Sequence, residues 1–162
     1  MVTKVYTLAY LAELLSDERC KTMYTGHRRL VLCHGCFDCL HLGHVRHFLA
    51  AREMGDVLAV TVTSDQYVKK GQGRPVFNAS ERAEMVSYLE CVDFVAINHA
   101  ESAVNAINLL RPAVYVKGQE YENNRTGGLL AESMAVEAVG GKLEFTHALE
   151  MHTTDILKRC IN

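Results

Sequence analysis

Residues 30 to 52 constrain the chain more than any other stretch: Leu-Val-Leu-Cys-His-Gly-Cys-Phe-Asp-Cys-Leu-His-Leu-Gly-His-Val-Arg-His-Phe-Leu-Ala-Ala-Arg. The apolar run Leu30 to Cys33 predicts a buried strand and Gly35 a turn. The spacing of Val45, Phe48, Leu49 and Arg52 predicts a helix that resumes at about Gly43. His41 and His44 fall at the entry to that helix. A helix start offers unpaired N–H groups and the positive end of the dipole, so it favours anions, phosphate above all. Gly43 lets a phosphate approach the backbone, and the two imidazoles add donors that can become cationic. A lone histidine is ordinarily a partly exposed polar residue. Two of them bracketing Leu-Gly, between a strand and a helix, predict a polyphosphate site.

The rest of the chain sets the frame. A chain of 162 residues fits a single domain with a full core, residues 1–29 giving a leading helix and loop and 30–162 the core. Hydrophobic residues make up 49% and charged ones 22%, as in soluble globular proteins. A net charge of −2 gives no reason to expect nucleic acid or an anionic membrane as partner. No apolar run approaches the roughly 20 residues that span a bilayer, so a cytoplasmic protein is expected. Cys33, Cys36 and Cys39 are spaced as C-x2-C-x2-C. The first lies in a strand and the second in the phosphate loop, with no clear fourth ligand elsewhere. Free thiols are therefore expected and no metal ligands.

In chain order, Leu8, Leu11, Leu14 and Leu15 predict a helix with Thr7 as a possible cap. Gly55 stops the motif helix, and Val57 to Thr63 is a β-rich run. Strand, helix and strand within so few residues make a βαβ unit, hence a parallel sheet with the motif at a strand's carboxyl end. Residues 64–78 form a polar loop on the same edge, where Lys70 can close over triphosphate oxygens and Lys69 is a second cation. Asn78 to Glu81 starts a helix in capping-box style, and it carries Arg82. A third strand is predicted over Val92 to Ile97, a helix over Ser102 to Leu110, and a fourth strand over Ala113 to Val116. The fourth delivers Lys117 and Gly118 to the same edge. A helix over Leu129 to Val139 and a strand over Lys142 to Thr146 follow. Thr153 and Thr154 then begin a short helix, where capping alone would explain one threonine.

Gly35-Cys36-Phe37-Asp38 followed by His41-Leu42-Gly43-His44 resembles the cytidylyltransferase-like nucleotidyltransferases that carry an HxGH signature. Within them the resemblance is to the nucleotidyltransferase domain of the ADP-heptose synthase type, over nearly the whole chain. It continues through Lys70-Gly71, Arg74-Pro75-Val76, the Glu81-Arg82 pair and Lys117-Gly118-Gln119-Glu120-Tyr121, where Glu120 stands for the family's Asp. The resemblance implies an α/β, Rossmann-like, doubly wound parallel sheet of about five strands. It implies transfer of a nucleoside monophosphate from ATP or CTP to a sugar phosphate, with Mg2+ carried on the triphosphate. The nucleotide would meet Gly35, Cys36, Phe37, His41, Gly43, His44, Lys117, Gly118, Thr153 and Thr154. The substrate phosphate would meet Lys69, Arg82 and Asp38, and catalysis would rest on His41, His44 and Lys70. Homodimerisation and a sugar-kinase partner are further implications. The stretch His147 to Met151 lacks the Arg of CTP-using relatives, which favours ATP. The rivals are a CTP-dependent glycerol phosphate or other polyol phosphate cytidylyltransferase, and a nucleotide-binding module without turnover.

Overall fold

The computed structural model describes residues 4–16, 29–122 and 127–147. Among these, six strands form one parallel sheet: β1 (Val5–Tyr6), β2 (Leu30–Gly35), β3 (Val57–Thr63), β4 (Phe94–Asn98), β5 (Val114–Gly118) and β6 (Lys142–Thr146), in the order β1-β4-β3-β2-β5-β6. Helices α1 (Leu8–Ser16), α2 (Leu42–Arg52), α3 (Ala79–Ser87), α4 (Val104–Leu110) and α5 (Gly127–Ala138) lie between them in the chain. β3 is buried over its whole length because helices cover both sheet faces, which is why it reads as an unbroken apolar run.

The two faces form separate cores. On one, Val31, Cys33, Val60, Val62, Val114 and Val116 pack with Phe48 and Ala51 of α2 and Ala83 and Val86 of α3. On the other, Leu32, Ala59, Ala96 and Tyr115 pack with Leu11 of α1, Ala106 and Ile107 of α4, and Ala135 and Val136 of α5. The leading helix thus packs into the second core, as its leucine spacing predicts. Thr7 Oγ1 accepts from the Tyr10 N–H at 3.2 Å. The Asn78–Glu81 capping box closes in both directions, at 3.0 and 2.9 Å.

The expected count of about five strands is corrected to six. The additional strand, β1, has two residues, Val5 and Tyr6, and they pair with Val95 and Ala96 at the sheet edge. Two residues carry no readable period, and only the tertiary pairing makes them a strand. β4 begins at Phe94 rather than Val92, because Asp93 instead exchanges bonds with Leu58 outside the ladder. Among the described residues no helix is long and apolar enough to cross a membrane.

Candidate active site

The strand order places a reversal at β2. The chain steps from β2 to β3 and β4 on one side, then crosses to β5 and β6 on the other. Loops leaving β2 and β5 therefore part at their carboxyl ends, and open α/β sheets bind ligands in that crevice.

The loop after β2 is shaped by close packing. A Cβ on Gly35 would stand 2.9 Å from the Phe37 ring, so only glycine leaves that ring its place. Phe37 has φ 49° and Cys39 φ 51°, left-handed conformations uncommon outside glycine. Phe37 meets His44 edge-on at 5.4 Å and packs on Phe48 at 4.8 Å. His41 caps α2 from an extended conformation, its Nδ1 accepting from the Gly43 N–H at 3.1 Å. That bond requires a bare Nδ1 and occupies the Gly43 amide. The His41 and His44 rings stack at 3.8 Å and 21°.

His44 Nδ1 is buried without a hydrogen-bond partner. Burial, followed by the influence of His41, Lys70 and His47, pulls its pKa down to about 3. His44 is therefore a neutral imidazole at physiological pH. Neutral, it still offers a ring N–H to an anion.

Of the expected phosphate ligands, two turn inward. Asp38 is fully buried and accepts from Arg74 Nε at 2.6 Å, Val76 N at 3.0 Å and Phe77 N at 3.3 Å. Burial pushes its pKa up, but these bonds and the Arg74 charge outweigh that and hold the carboxyl below its usual range. A buried carboxylate is a poor partner for a phosphate and a good clamp for a loop. Arg82 is also fully buried. Its guanidinium donates to the carbonyls of Phe77 at 2.9 Å, Cys36 at 2.5 Å and Thr63 at 2.8 Å, and to Asp65 Oδ1 at 2.6 Å. Asp38 and Arg82, expected at the substrate phosphate, make these hydrogen bonds to loops from β2 and β3 and to the 74–77 segment. Lys69 is exposed and paired with Glu101. Lys70 is exposed, and its charge reaches His44.

On the other bank, Lys117 lies almost buried, its Nζ 3.4 Å from Glu132 and 4.7 Å over the Tyr121 ring. Glu132 also accepts from Ala103 N and from the Tyr115 hydroxyl, both at 2.9 Å. Lys117 thus comes to the crevice half-neutralised. A Cβ on Gly118 would sit 2.1 Å from a Glu120 carboxylate oxygen, so the longer acid that replaces the family's Asp folds back on its own strand end. His47 on α2 lies 2.7 Å from Thr146 of β6, which ties the motif helix to the β5–β6 bank.

Sequence reasoning missed His34, His47 and Glu132. His47 was legible as the i+3 neighbour of His44 on one helix face. His34 alternates with Cys33 and faces away from α2, bonded to Thr61 at 3.0 Å and Thr63 at 3.3 Å. Glu132 gave no local signal, since its partners come from β5 and from Ala103 at the start of α4. Thr153 and Thr154 lie outside the described residues, as do Cys20 and Cys160. Cys33, Cys36, Cys39 and Cys91 are free thiols, and among the described residues no three His, Cys, Asp or Glu side chains could hold a metal ion.

Three comparisons bear on this geometry. The cytidylyltransferase-like family model matches residues 32–158. The bifunctional protein HldE of Geotalea uraniireducens is 37% identical over 159 residues, covering 96% of this chain and 31% of that protein. HldE of Campylobacter concisus is 36% identical over 160 residues, 96% of this chain and 30% of its own length. The chain thus spans just under a third of these curated relatives. The crystal structure of a lipopolysaccharide core biosynthesis protein from Thermoplasma volcanium superposes with a TM-score of 0.62 over 77% of this chain and 99% of its own, at 21% identity, and shares the fold.

Proposed function

Because the chain belongs to the cytidylyltransferase-like family of nucleotidyltransferases, we propose that it transfers a nucleoside monophosphate from ATP to a sugar phosphate and releases pyrophosphate, as in the ADP-heptose synthase type. The observation that carries this reading is the stacked His41–His44 pair at the start of α2, at the point where the strand order reverses. A triphosphate seated there meets the helix dipole, the imidazoles and the Lys70 loop from one side and Lys117 from the other.

The chemistry follows. The oxygen of the sugar phosphate is already an anion and attacks the α-phosphorus directly, so no general base is required. The protein must align two anions that repel each other and stabilise charge spreading onto nonbridging and leaving oxygens. The neutral His44 imidazole suits that task because an N–H donor held by the fold need not reorient as the charge develops. Lys70 and Lys117 neutralise phosphates, while Asp38 and Arg82 hold the loops that carry the other groups. Magnesium prefers phosphate and water oxygens and would ride on the triphosphate itself. Thr153 and Thr154 belong to the same proposal as ligands of the pyrophosphate end. So do a homodimer and a sugar kinase, which would supply the phosphorylated acceptor.

The test is a panel of sugar 1-phosphates and polyol phosphates offered with ATP or CTP, read by pyrophosphate release and product mass. A nucleotide-sugar from ATP is expected. Product only from CTP and a polyol phosphate would move the assignment to the polyol branch, and binding without product from any pair would reduce the chain to a nucleotide-binding module.

A further inference from the structure

His47 lies one turn along α2 from His44, on the side that meets β6. Its Nδ1 is 2.7 Å from Thr146 Oγ1, and that hydroxyl is 3.4 Å from the Lys117 carbonyl. A hydroxyl has one proton to give. Two tautomers satisfy the pair; in the one where the hydroxyl donates to the carbonyl, its oxygen accepts from His47, which then carries its hydrogen on Nδ1 and a lone pair on Nε2, and that is the tautomer the proposal below takes. Burial, and after it the Lys117 charge, lower the His47 pKa to about 4, which keeps that lone pair at neutral pH. Nε2 has no hydrogen-bond partner among the described residues, yet it is not among the sealed polar atoms. Thr146 is the last residue of β6 and pairs in register with Gly118, the last of β5. The bare nitrogen therefore stands at the floor of the β5–β6 bank. On the opposite bank, the loop after β3 brings Lys70 to act on His44.

We propose that His47 is a specificity-determining residue of the nucleotide site: its Nε2 accepts a hydrogen bond from a hydroxyl or amine of the nucleoside. This rests on the phosphate-site reading above. With the triphosphate over the start of α2 and under the Lys70 loop, we assign the β5–β6 bank, where His47 meets Thr146, to ribose and base. An acceptor atom there selects ligands that present a donor.

Two substitutions in the full chain separate the atom's role from that of the helix. His47→Asn keeps an N–H for Thr146 and removes the acceptor. His47→Gln keeps an amide oxygen able to reach the Nε2 position and gives up the Thr146 bond. Binding of ATP, 2′-deoxyATP, 3′-deoxyATP, purine riboside triphosphate and tripolyphosphate is measured calorimetrically, with thermal melts as the folding control. His47→Asn is expected to weaken ATP roughly tenfold, the size of one hydrogen bond, and to leave tripolyphosphate unchanged. His47→Gln should stay within about threefold of the parent. The analogue that lacks the donor read by His47 should lose nothing further in His47→Asn, and this separates the ribose hydroxyls from the base amine. Three results overturn the inference: unchanged ATP binding in His47→Asn, equal weakening of tripolyphosphate, or the full loss with every analogue. If the parent chain binds neither ATP nor tripolyphosphate, the phosphate-site reading itself fails, and the role of His47 falls with it.

Discussion

His41 and His44 do different work although the sequence presents them as a pair. The Nδ1 of His41 is spent on the backbone as a cap, whereas His44 lies edge-on to Phe37, itself packed on Phe48, with a buried nitrogen that lacks a partner. Removing a preorganised donor from a transition state costs about 100- to 1,000-fold in turnover. His44→Ala is expected to lose that much in kcat while unfolding normally in urea; turnover within threefold of the parent would remove His44 from the chemistry. Because its pKa is about 3 in the free protein, its titration cannot shape kcat/KM, which reports the free enzyme, anywhere above about pH 4. A break near pH 6.5 that vanishes in His44→Ala would contradict the buried neutral ring. The motif itself was fully legible in the sequence. The roles of Asp38 and Arg82 were not, because a charged residue near a phosphate loop looks the same whether its partner is a substrate or a carbonyl 46 residues away.

At the scale of elements, the sequence marks ends that are fixed locally and loses those fixed by distant partners. β3 and β6 run as their residue patterns predict, from Val57 to Thr63 and from Lys142 to Thr146. α3 starts where its capping box places it. β1 and the first residues of β4 depend on pairing across the sheet, so no window of sequence contains them. The same distinction decides what Arg82 is worth. Its guanidinium gathers three loops that strands β2 and β3 and the 74–77 segment would otherwise leave apart. Lysine keeps the charge but has neither the fork nor enough fixed donors for four acceptors. Arg82→Lys is expected to destabilise the fold by about 3 kcal/mol, as when a buried charged network loses a partner, with a lower urea midpoint at unchanged slope. A variant that kept full stability and only raised the KM for the acceptor would return Arg82 to the phosphate. Gly35→Ala tests the neighbouring packing. Its Cβ must push the Phe37 ring off His44, so turnover should fall by at least about tenfold with little change in nucleotide binding.

The whole molecule carries a charge pattern that the sequence could not disclose, since it depends on which histidines the fold buries. His34, His44 and His47 have pKa values lowered to about 4, 3 and 4, in each case by burial before any other cause. In the unfolded chain each would titrate near 6.5. Below that value the unfolded state binds protons that the folded state refuses, so stability rises with pH across the window and falls as pH drops from about 6.5 through about 4. Each ring can account for up to ~2 kcal/mol between pH 7 and pH 5. The carboxyls of Asp38 and Glu132, held below their ordinary range despite burial, lose their contribution only at lower pH still. Urea unfolding at pH 7.5, 6 and 5 should therefore show a steep loss already well under way before carboxylates protonate. His34→Asn, which removes one titrating ring from the sheet face opposite α2, should make that loss shallower by up to ~2 kcal/mol over the same range. A midpoint that stays level from pH 7.5 to pH 5 would mean that the rings at 34, 44 and 47 are open to water. In that case the burial that keeps His44 a neutral donor would be absent.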